Sequence, residues 1–311
     1  MIPIKPALST RPLRQVDHEA AANLVSQQMF RAPYSQRLDL QRFEREVTSP
    51  DPPTVHSVRW QRHLQIGAWR AGELVGFIDL AAGLDSDSHS VPDYQPIGLI
   101  RFLVLPERQD LVNEVSALLF ERAGQFWKAA GVGYVKAFHI STGYPTFQAG
   151  SGVLPGDWDD HVRVLTTEGF RFQSRHYCLR RRLDTPIEES VPSADLSVAF
   201  RGTRADRTYE VYFRRTEWVG RARSRVVIPE FDDDGDPFAT LTHIEVERHW
   251  RRQNIGRWLL RRVINDATTQ GMPEIVIHVS HDYGAALNLF AEHGFEELDY
   301  RGYTLDQTLS E

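Results

Sequence analysis

One order of elements occurs twice along the chain, and it restricts the fold more than any other feature. In the first half, "HLQIGAWRAGELVGFIDLAAG" alternates apolar and polar residues on both sides of Ala71-Gly72, the signature of a β-hairpin. "PIGLIRFLVLPE" follows as a buried strand, "DLVNEVSALLFERAGQFWKAAG" as an amphipathic helix ending on Gly131, and "YVKAFHI" as another strand. A short helix in "HVRVLTTEGF" and a strand in "RFQSRHYCLRRRL" close the half. The second half repeats the order: a hairpin in "TYEVYFRRTEWVGRARSRVVI", a strand in "FATLTHIEV", a helix over Ile255–Thr269, a strand in "EIVIHV", a helix over Ala285–His293, and last strands in "FEELDYRGYTLDQ". Internal duplication of an α/β unit accounts for this repetition. Only the first copy has opening helices, over Asp17–Phe30 and in "SQRLDLQRFEREV".

A chain of 311 residues with 41% hydrophobic residues has length and apolar content for two cores. "DTPIEESVPSAD", rich in acids, prolines and serines, is the expected linker at 184–195, which places the domains at 11–183 and 196–311. A net charge of -6 and a pI near 6.1 argue against a nucleic-acid partner. No apolar run approaches the roughly 18 residues of a membrane span, and "MIPIKPALSTRPLRQ" lacks an apolar segment, so a cytoplasmic protein without membrane association is expected. Cys178 stands alone in a strand pattern, where it reads as a small buried filler. "DDDGD", Asp232–Asp236, lacks EF-hand spacing and reads as a solvated turn. His278 and His281 belong to no zinc-protease pattern, and no metal is expected. Alternate arginines in "RRTEWVGRARSR" fit the solvent face of a hairpin. The glycine-rich stretch Ser141–Asp160 is long for a connection, and is read either as a loop over the neighbouring half that shapes an acceptor pocket or as a flexible segment.

The chemistry concentrates in "VERHWRRQNIGRWLL", Val246–Leu260. Ile255, Leu259, Val263 and Ala267 recur every four residues, with Leu260 and Ile264 widening the stripe, so one helix face is apolar. Asn254 precedes the helix in a capping position and tolerates a left-handed backbone. Gly256 in the first turn lets a ligand approach backbone N–H groups that have no intrahelical partner and carry the positive end of the helix dipole. Arg251, Arg252 and Arg257 add positive charge there. The pattern suits an anion such as a diphosphate. Neither GxxxxGK[ST] nor GxGxxG occurs, which argues against P-loop and Rossmann nucleotide sites.

"VERHWRRQNIG" resembles motif A of the GNAT N-acetyltransferase superfamily, Q/R-x-x-G-x-G/A, with Arg251 first, Asn254 in place of the first glycine and Gly256 last. "HVSHDYGAALNLFAEHGF" resembles the second hallmark, V-x-x-D-N-x-x-A-x-x-L-Y-x-x-x-G-F, through Val279, Asp282, Ala286, Leu289, Gly294 and Phe295. There Tyr283 replaces the asparagine and Phe290 the tyrosine. The likeness covers 205–311 well. Residues 11–183 keep the strand, proline and helix without the glycine loop, so the chain is similar to tandem-GNAT proteins with a degenerate first domain that binds acyl-CoA poorly.

The resemblance implies two α/β domains, each a mixed, mostly antiparallel sheet flanked by helices. It implies acetyl-CoA as acyl donor, a small-molecule amine as acceptor, and a cofactor site of Ile244, Val246, Arg251, Arg252, Gln253, Asn254, Ile255, Gly256 and Arg257. The N–H groups of Ile244 and Val246 would polarise the thioester oxygen. The carboxylate that many members place four residues before Val246 is here Thr242, which cannot be a base. His243 and Glu245 are the alternatives, although strict alternation turns them to the other face unless a bulge intervenes. Phe290 has no proton to give; Tyr283, Tyr300 and Tyr303 are the possible acids. These departures leave a non-catalytic acyl-CoA-binding or scaffold protein as the alternative.

Overall fold

The computed structural model describes residues 7–50, 59–84, 96–229 and 235–309. The chain forms two compact units, Met1–Arg175 with Arg301–Glu311, and His176–Tyr300. The acidic turn, apart from Gly235 and Asp236, lies outside the described residues.

Unit 1 runs β1 (Leu8–Pro12), α1 (His18–Met29), α2 (Leu40–Phe43), β2 (Arg59–Arg70), β3 (Glu73–Leu84), β4 (Ile97–Val104), α3 (Gln109–Ala129), β5 (Tyr134–Ala137), β6 (Leu154–Pro155) and α4 (Asp159–Thr167), then the start of β7 (Arg171–Arg182). β1 to β5 pair in sequence order, and residues 305–308 from the end of the chain add the next strand against β5. Only β4 and β5 run parallel in this sheet. α3 forms as its pattern requires: Leu111, Val115, Leu119 and Ala123 recur on one buried stripe. The second opening helix is shorter than its sequence suggests. The Asp39 carboxylate accepts the Arg42 N–H at 2.8 Å and Ser26 Oγ accepts the Leu38 N–H at 3.1 Å, so side chains hold the preceding segment outside the helix.

The long stretch after β5 is a corrected expectation. Tyr144, Phe147, Leu154 and Trp158 belong to the core of unit 1 itself, so the segment is packed rather than a flexible connection.

Unit 2 takes β7 from His176 onward, then β8 (Leu196–Gly202), β9 (Asp206–Phe213), β10 (Glu217–Val227), β11 (Phe238–Val246), α5 (Ile255–Thr269), β12 (Glu274–Ser280), α6 (Gly284–Glu292) and the start of β13 (Glu296–Thr308). Its order is β7-β12-β11-β10-β9-β8, antiparallel except for β11 and β12. Both units are therefore mixed, mostly antiparallel sheets with helices.

The spatial boundary departs from one drawn at the linker. Each unit is completed by a strand segment from the far side of that linker, 301–308 for unit 1 and 176–182 for unit 2. The linker itself is strapped to α5. Asn265 exchanges hydrogen bonds with both backbone groups of Ile187, and Glu189 accepts from the Trp258 indole at 2.9 Å and pairs with Arg262 at 2.8 Å. No helix among the described residues is long and apolar enough to cross a membrane.

Candidate functional site

In unit 2, β11 and β12 part early. They pair only at Ala239–Ile275 and Thr240–Val276. Glu247 donates its N–H to Val219 of the preceding element at 2.8 Å, so the alternate residues Val246 and Ile244 turn their N–H and C=O groups the other way, into the gap left by β12. The two amides named from sequence as oxyanion donors thus turn away from β10, to the side where β11 has no pairing with β12. The Val246 carbonyl, on the same side, accepts from Arg251 Nε at 2.9 Å, which ties the loop to the end of β11.

The loop supplies the rest. Arg252 and Asn254 both have left-handed φ values, 65° and 62°, separated by Gln253. Asn254 makes no side-chain cap, so its role is the backbone conformation and the expected capping bond is absent. The first intrahelical amide bond is Trp258 N–H to Asn254 O at 3.0 Å. The amides from Arg252 to Arg257 have no protein acceptor among the described residues, and they precede the positive end of α5. Beneath them, Trp250 packs on Phe213 and donates to Glu217 at 3.0 Å. Arg257 is held by Glu292 of α6 at 2.5 Å, while exposed Arg252 has no carboxylate partner among the described residues. A Cβ built on Gly256 lies 3.7 Å from Val246 and 3.8 Å from Leu289, ordinary contacts, so the protein does not itself require glycine there. Asn254→Val is expected to cost about 1–2 kcal/mol of loop stability through the disallowed φ, and Asn254→Gly to keep the loop. Denaturant titration of both variants checks this.

A bulge settles where the candidate bases point. Arg223 pairs with His243 and Ser224 with Leu241, leaving Thr242 as the extra residue. Ala239 and Leu241 face the α5 core, and beyond the bulge Ile244 and Val246 take that face, so His243 and Glu245 are turned onto the opposite one. There Glu245 pairs with Arg221 at 2.6 Å, its cross-strand neighbour. His243 Nε2 lies 3.1 Å from the same carboxylate oxygen, without the alignment of a hydrogen bond. The Thr242 hydroxyl donates to the Arg223 carbonyl at 3.2 Å, so it is spent on the bulge. Arg221 and Arg223 are neighbours of His243 and Glu245 that their strand pattern alone did not reveal; only the register brings them there.

The acid candidates separate. Tyr283 is 66% exposed at the start of α6, Phe290 is fully buried against Phe295, Tyr300 packs near His278, and Tyr303 belongs to unit 1. Cys178 is buried, and burial pushes its thiol up to about 12, in keeping with an inert filler.

Unit 1 has the same bulge but a closed edge. Asp79 pairs with Phe102 and Leu80 with Ile100, which leaves Arg101 as the extra residue. Counting from the bulge, Leu103 corresponds to Ile244. Its carbonyl accepts from His161 Nε2 of α4 at 3.0 Å, and Phe102 is packed by Phe138, Tyr144, Phe147 and Trp158. The gap left open beside β11 is filled here by the chain's own side chains. Burial pushes His161 down to about 4, so the folded form holds it neutral. The unfolded chain binds this proton near pH 6.5 and the folded one only near 4. Stability is therefore lost as pH falls through this window, by up to about 1.4 kcal/mol per pH unit. Denaturant titrations of wild type and His161→Phe between pH 7 and 4 are expected to show a shallower decline in the variant.

Residues 179–295 match the acetyltransferase (GNAT) family. No curated protein matches the chain. Among solved structures, it is similar to a tandem GNAT protein from the clavulanic acid biosynthesis pathway, at TM-score 0.67 and 14% identity over 98% of this chain and 100% of that one. It is also similar to a GCN5-related N-acetyltransferase from Sphaerobacter thermophilus, at 0.62 and 12% over 97% and 95%. A glucosamine N-acetyltransferase region of a fungal multi-domain GH3 β-N-acetylglucosaminidase gives 0.71 and 11% over 97% of this chain and 38% of that protein. At these identities the likeness is one of fold.

Proposed function

We propose that this chain, a GNAT-superfamily protein with the tandem-GNAT fold, uses unit 2 to transfer an acetyl group from acetyl-CoA to the amine of a small molecule. The observation that carries the reading is the run of unpartnered amides from Arg252 to Arg257, set at the head of α5 beside the open edge of β11. These amides, with Arg251, Arg252 and Arg257, suit the diphosphate of CoA, and the gap between β11 and β12 suits its extended arm. A bound acyl-CoA supplies the thioester that the amine attacks. Ile244 and Val246 then present N–H groups toward charge growing on the thioester oxygen. The amine must arrive neutral; His243, on β11 beside the Arg221–Glu245 pair, is assigned as its base, with Glu245 the alternative. The thiol group of CoA needs little acid help, having an ordinary thiol pKa of about 8.5. Unit 1, with its edge filled by His161 and aromatic rings, is assigned a structural role.

The buried Phe290 and exposed Tyr283 favour a second reading, a protein of this fold that binds acyl-CoA without turnover. Incubation with acetyl-CoA and a panel of primary amines, followed by thiol release, separates the two. Release above the amine-free rate supports transfer. CoA-induced stabilisation with no release across the panel supports the binder and overturns transfer.

A further inference from the structure

We propose that the outer edge of β8 pairs with the same strand of a second copy of this chain, across a two-fold axis at Ala199. The proposal is independent of the acyl-transfer reading. β8 ends the strand order of unit 2 and pairs with β9 alone. Arg214 donates its N–H to the Asp195 carbonyl and Thr203 donates to that of Asp206, which sets the phase of the pairing. Residues 195, 197, 199, 201 and 203 therefore turn their backbone groups to β9, and Leu196, Val198, Phe200 and Gly202 turn theirs outward. The outward stretch is bounded at both ends. The Leu196 N–H is spent on the Ser193 carbonyl at 3.1 Å, and at Gly202 a φ of 85° leaves the extended conformation. Between them, the N–H and C=O groups of Val198 and Phe200 have no protein partner among the described residues.

These groups select the register. Antiparallel pairing about Ala199 sets Val198 against Phe200 of the copy and Phe200 against its Val198, so each chain donates two N–H groups and accepts two. An axis at Val198 would need the Leu196 N–H, and one at Phe200 would set Val198 against Gly202. The side chains agree with Ala199. Leu196 and Val198 join the core on the α5 face, and on that face the Phe200 ring lies 5.5 Å from that of Tyr209. Phe200 is nevertheless 51% exposed, and Val198 of the copy would cover it in an aromatic–β-branched pair. On the other face the two Ala199 residues meet at a non-hydrogen-bonded position, where strands approach most closely and a small side chain suits. Asp195 of one chain is there diagonal to Arg201 of the other, two exposed and opposite charges. Within their own chain they pair with Arg214 at 3.7 Å and Glu210 at 2.5 Å.

Sheets guard their edges with proline, bulges or a covering element, since an unguarded strand is a template for another. β1, the edge of unit 1, ends on Pro12, and its Arg11 pairs with Asp17 at 2.5 Å and lies 3.7 Å over the Trp69 ring. β8 has seven residues without proline or bulge, and no described strand pairs with its outer side. An interface of one short strand pair is small, so the dimer is concentration-dependent rather than obligate.

Sedimentation velocity of the full-length protein over a concentration series is expected to show a monomer–dimer equilibrium. Ala199 is exposed and belongs to neither core, so its variants are expected to melt as wild type does. Ala199→Glu and Ala199→Lys each set like charges across the axis and should weaken self-association by at least about tenfold. Mixing the two variants should restore it, because the axis then carries opposite charges. Ala199→Cys should oxidise to a covalent dimer, whereas Arg201→Cys, which faces Ser197 of the copy, should not; buried Cys178 does not interfere. A wild type that stays monomeric through the series overturns the proposal. So does a dimer that persists unchanged in Ala199→Glu and Ala199→Lys, or equal cross-linking from positions 199 and 201. None of these measurements uses thiol release, so failure of the dimer and failure of acyl transfer are read separately.

Discussion

Gly256→Trp is expected to weaken CoA binding at least 100-fold, about 2.7 kcal/mol, while Gly256→Ala leaves the fold intact or slightly more stable. The first half of this expectation follows from space. The Cβ position is already in ordinary contact with Val246 and Leu289, so a methyl fits and an indole cannot fold inward. It must extend across the amides of the first turn, which the proposed function assigns to the diphosphate. Several charge-assisted contacts would be lost together, each of roughly 0.3–1 kcal/mol when exposed and up to about 2 when partly buried. The second half follows from helix propensity. Alanine is favoured over glycine by about 0.8–1 kcal/mol in a helix interior and by less near its end, and residue 256 has no left-handed φ to protect. Calorimetry reads the affinity and thermal melting reads the fold. Tight CoA binding by Gly256→Trp, with an unchanged melting temperature, would place the ligand elsewhere.

The loop was legible because its chemistry is local. A left-handed residue, a glycine in the first turn and flanking arginines are all adjacent in sequence, and the helix they open, Ile255–Thr269, has the bounds its periodicity predicts. The order of elements was legible for the same reason. What the sequence could not reveal depends on register. The edge strands β1 and β8 pair on one side only and are short, so "LSTRP", and "LSVAFRG" with its brief alternation of Leu196, Val198 and Phe200, are easily passed over. The bulge at Thr242 adds one residue without any glycine or proline to mark it, yet it decides which face His243 and Glu245 occupy. His278 and His176 are just over a hundred positions apart, and only the pairing of β7 with β12 brings them together. The strand segments completing each unit from the far side of the linker are likewise a matter of pairing, to which local periodicity is blind.

The largest expected loss of stability lies in unit 1, at the residue opposite its own bulge. Asp79 and Arg101 are completely buried and pair at 3.0 Å. The Asp79 carboxylate also accepts from the Tyr144 hydroxyl at 2.7 Å and from Gln65 at 2.9 Å, and Arg101 donates to the Glu46 carbonyl at 3.0 Å with its guanidinium 4.8 Å from the Tyr144 ring centroid. Burial and the adjacent carboxylate raise the Tyr144 hydroxyl well above the usual phenol range, so it stays protonated and donates to Asp79. Asp79→Ala would leave a guanidinium and a phenol O–H stranded in the core, a loss of about 3–5 kcal/mol by analogy with other broken buried pairs. Replacing both charges, as Asp79→Ala with Arg101→Met, removes the stranded guanidinium together with its partner and is expected to cost less than Asp79→Ala alone. A denaturant double-mutant cycle measures the difference. Equal losses in the single and double variants would mean that the pair contributes shape rather than charge. The same strand irregularity then has two fates in one chain. In unit 1 the extra residue is Arg101, and its charge locks a filled interior. In unit 2 it is Thr242, whose hydroxyl turns back onto the backbone and leaves the edge of β11 open.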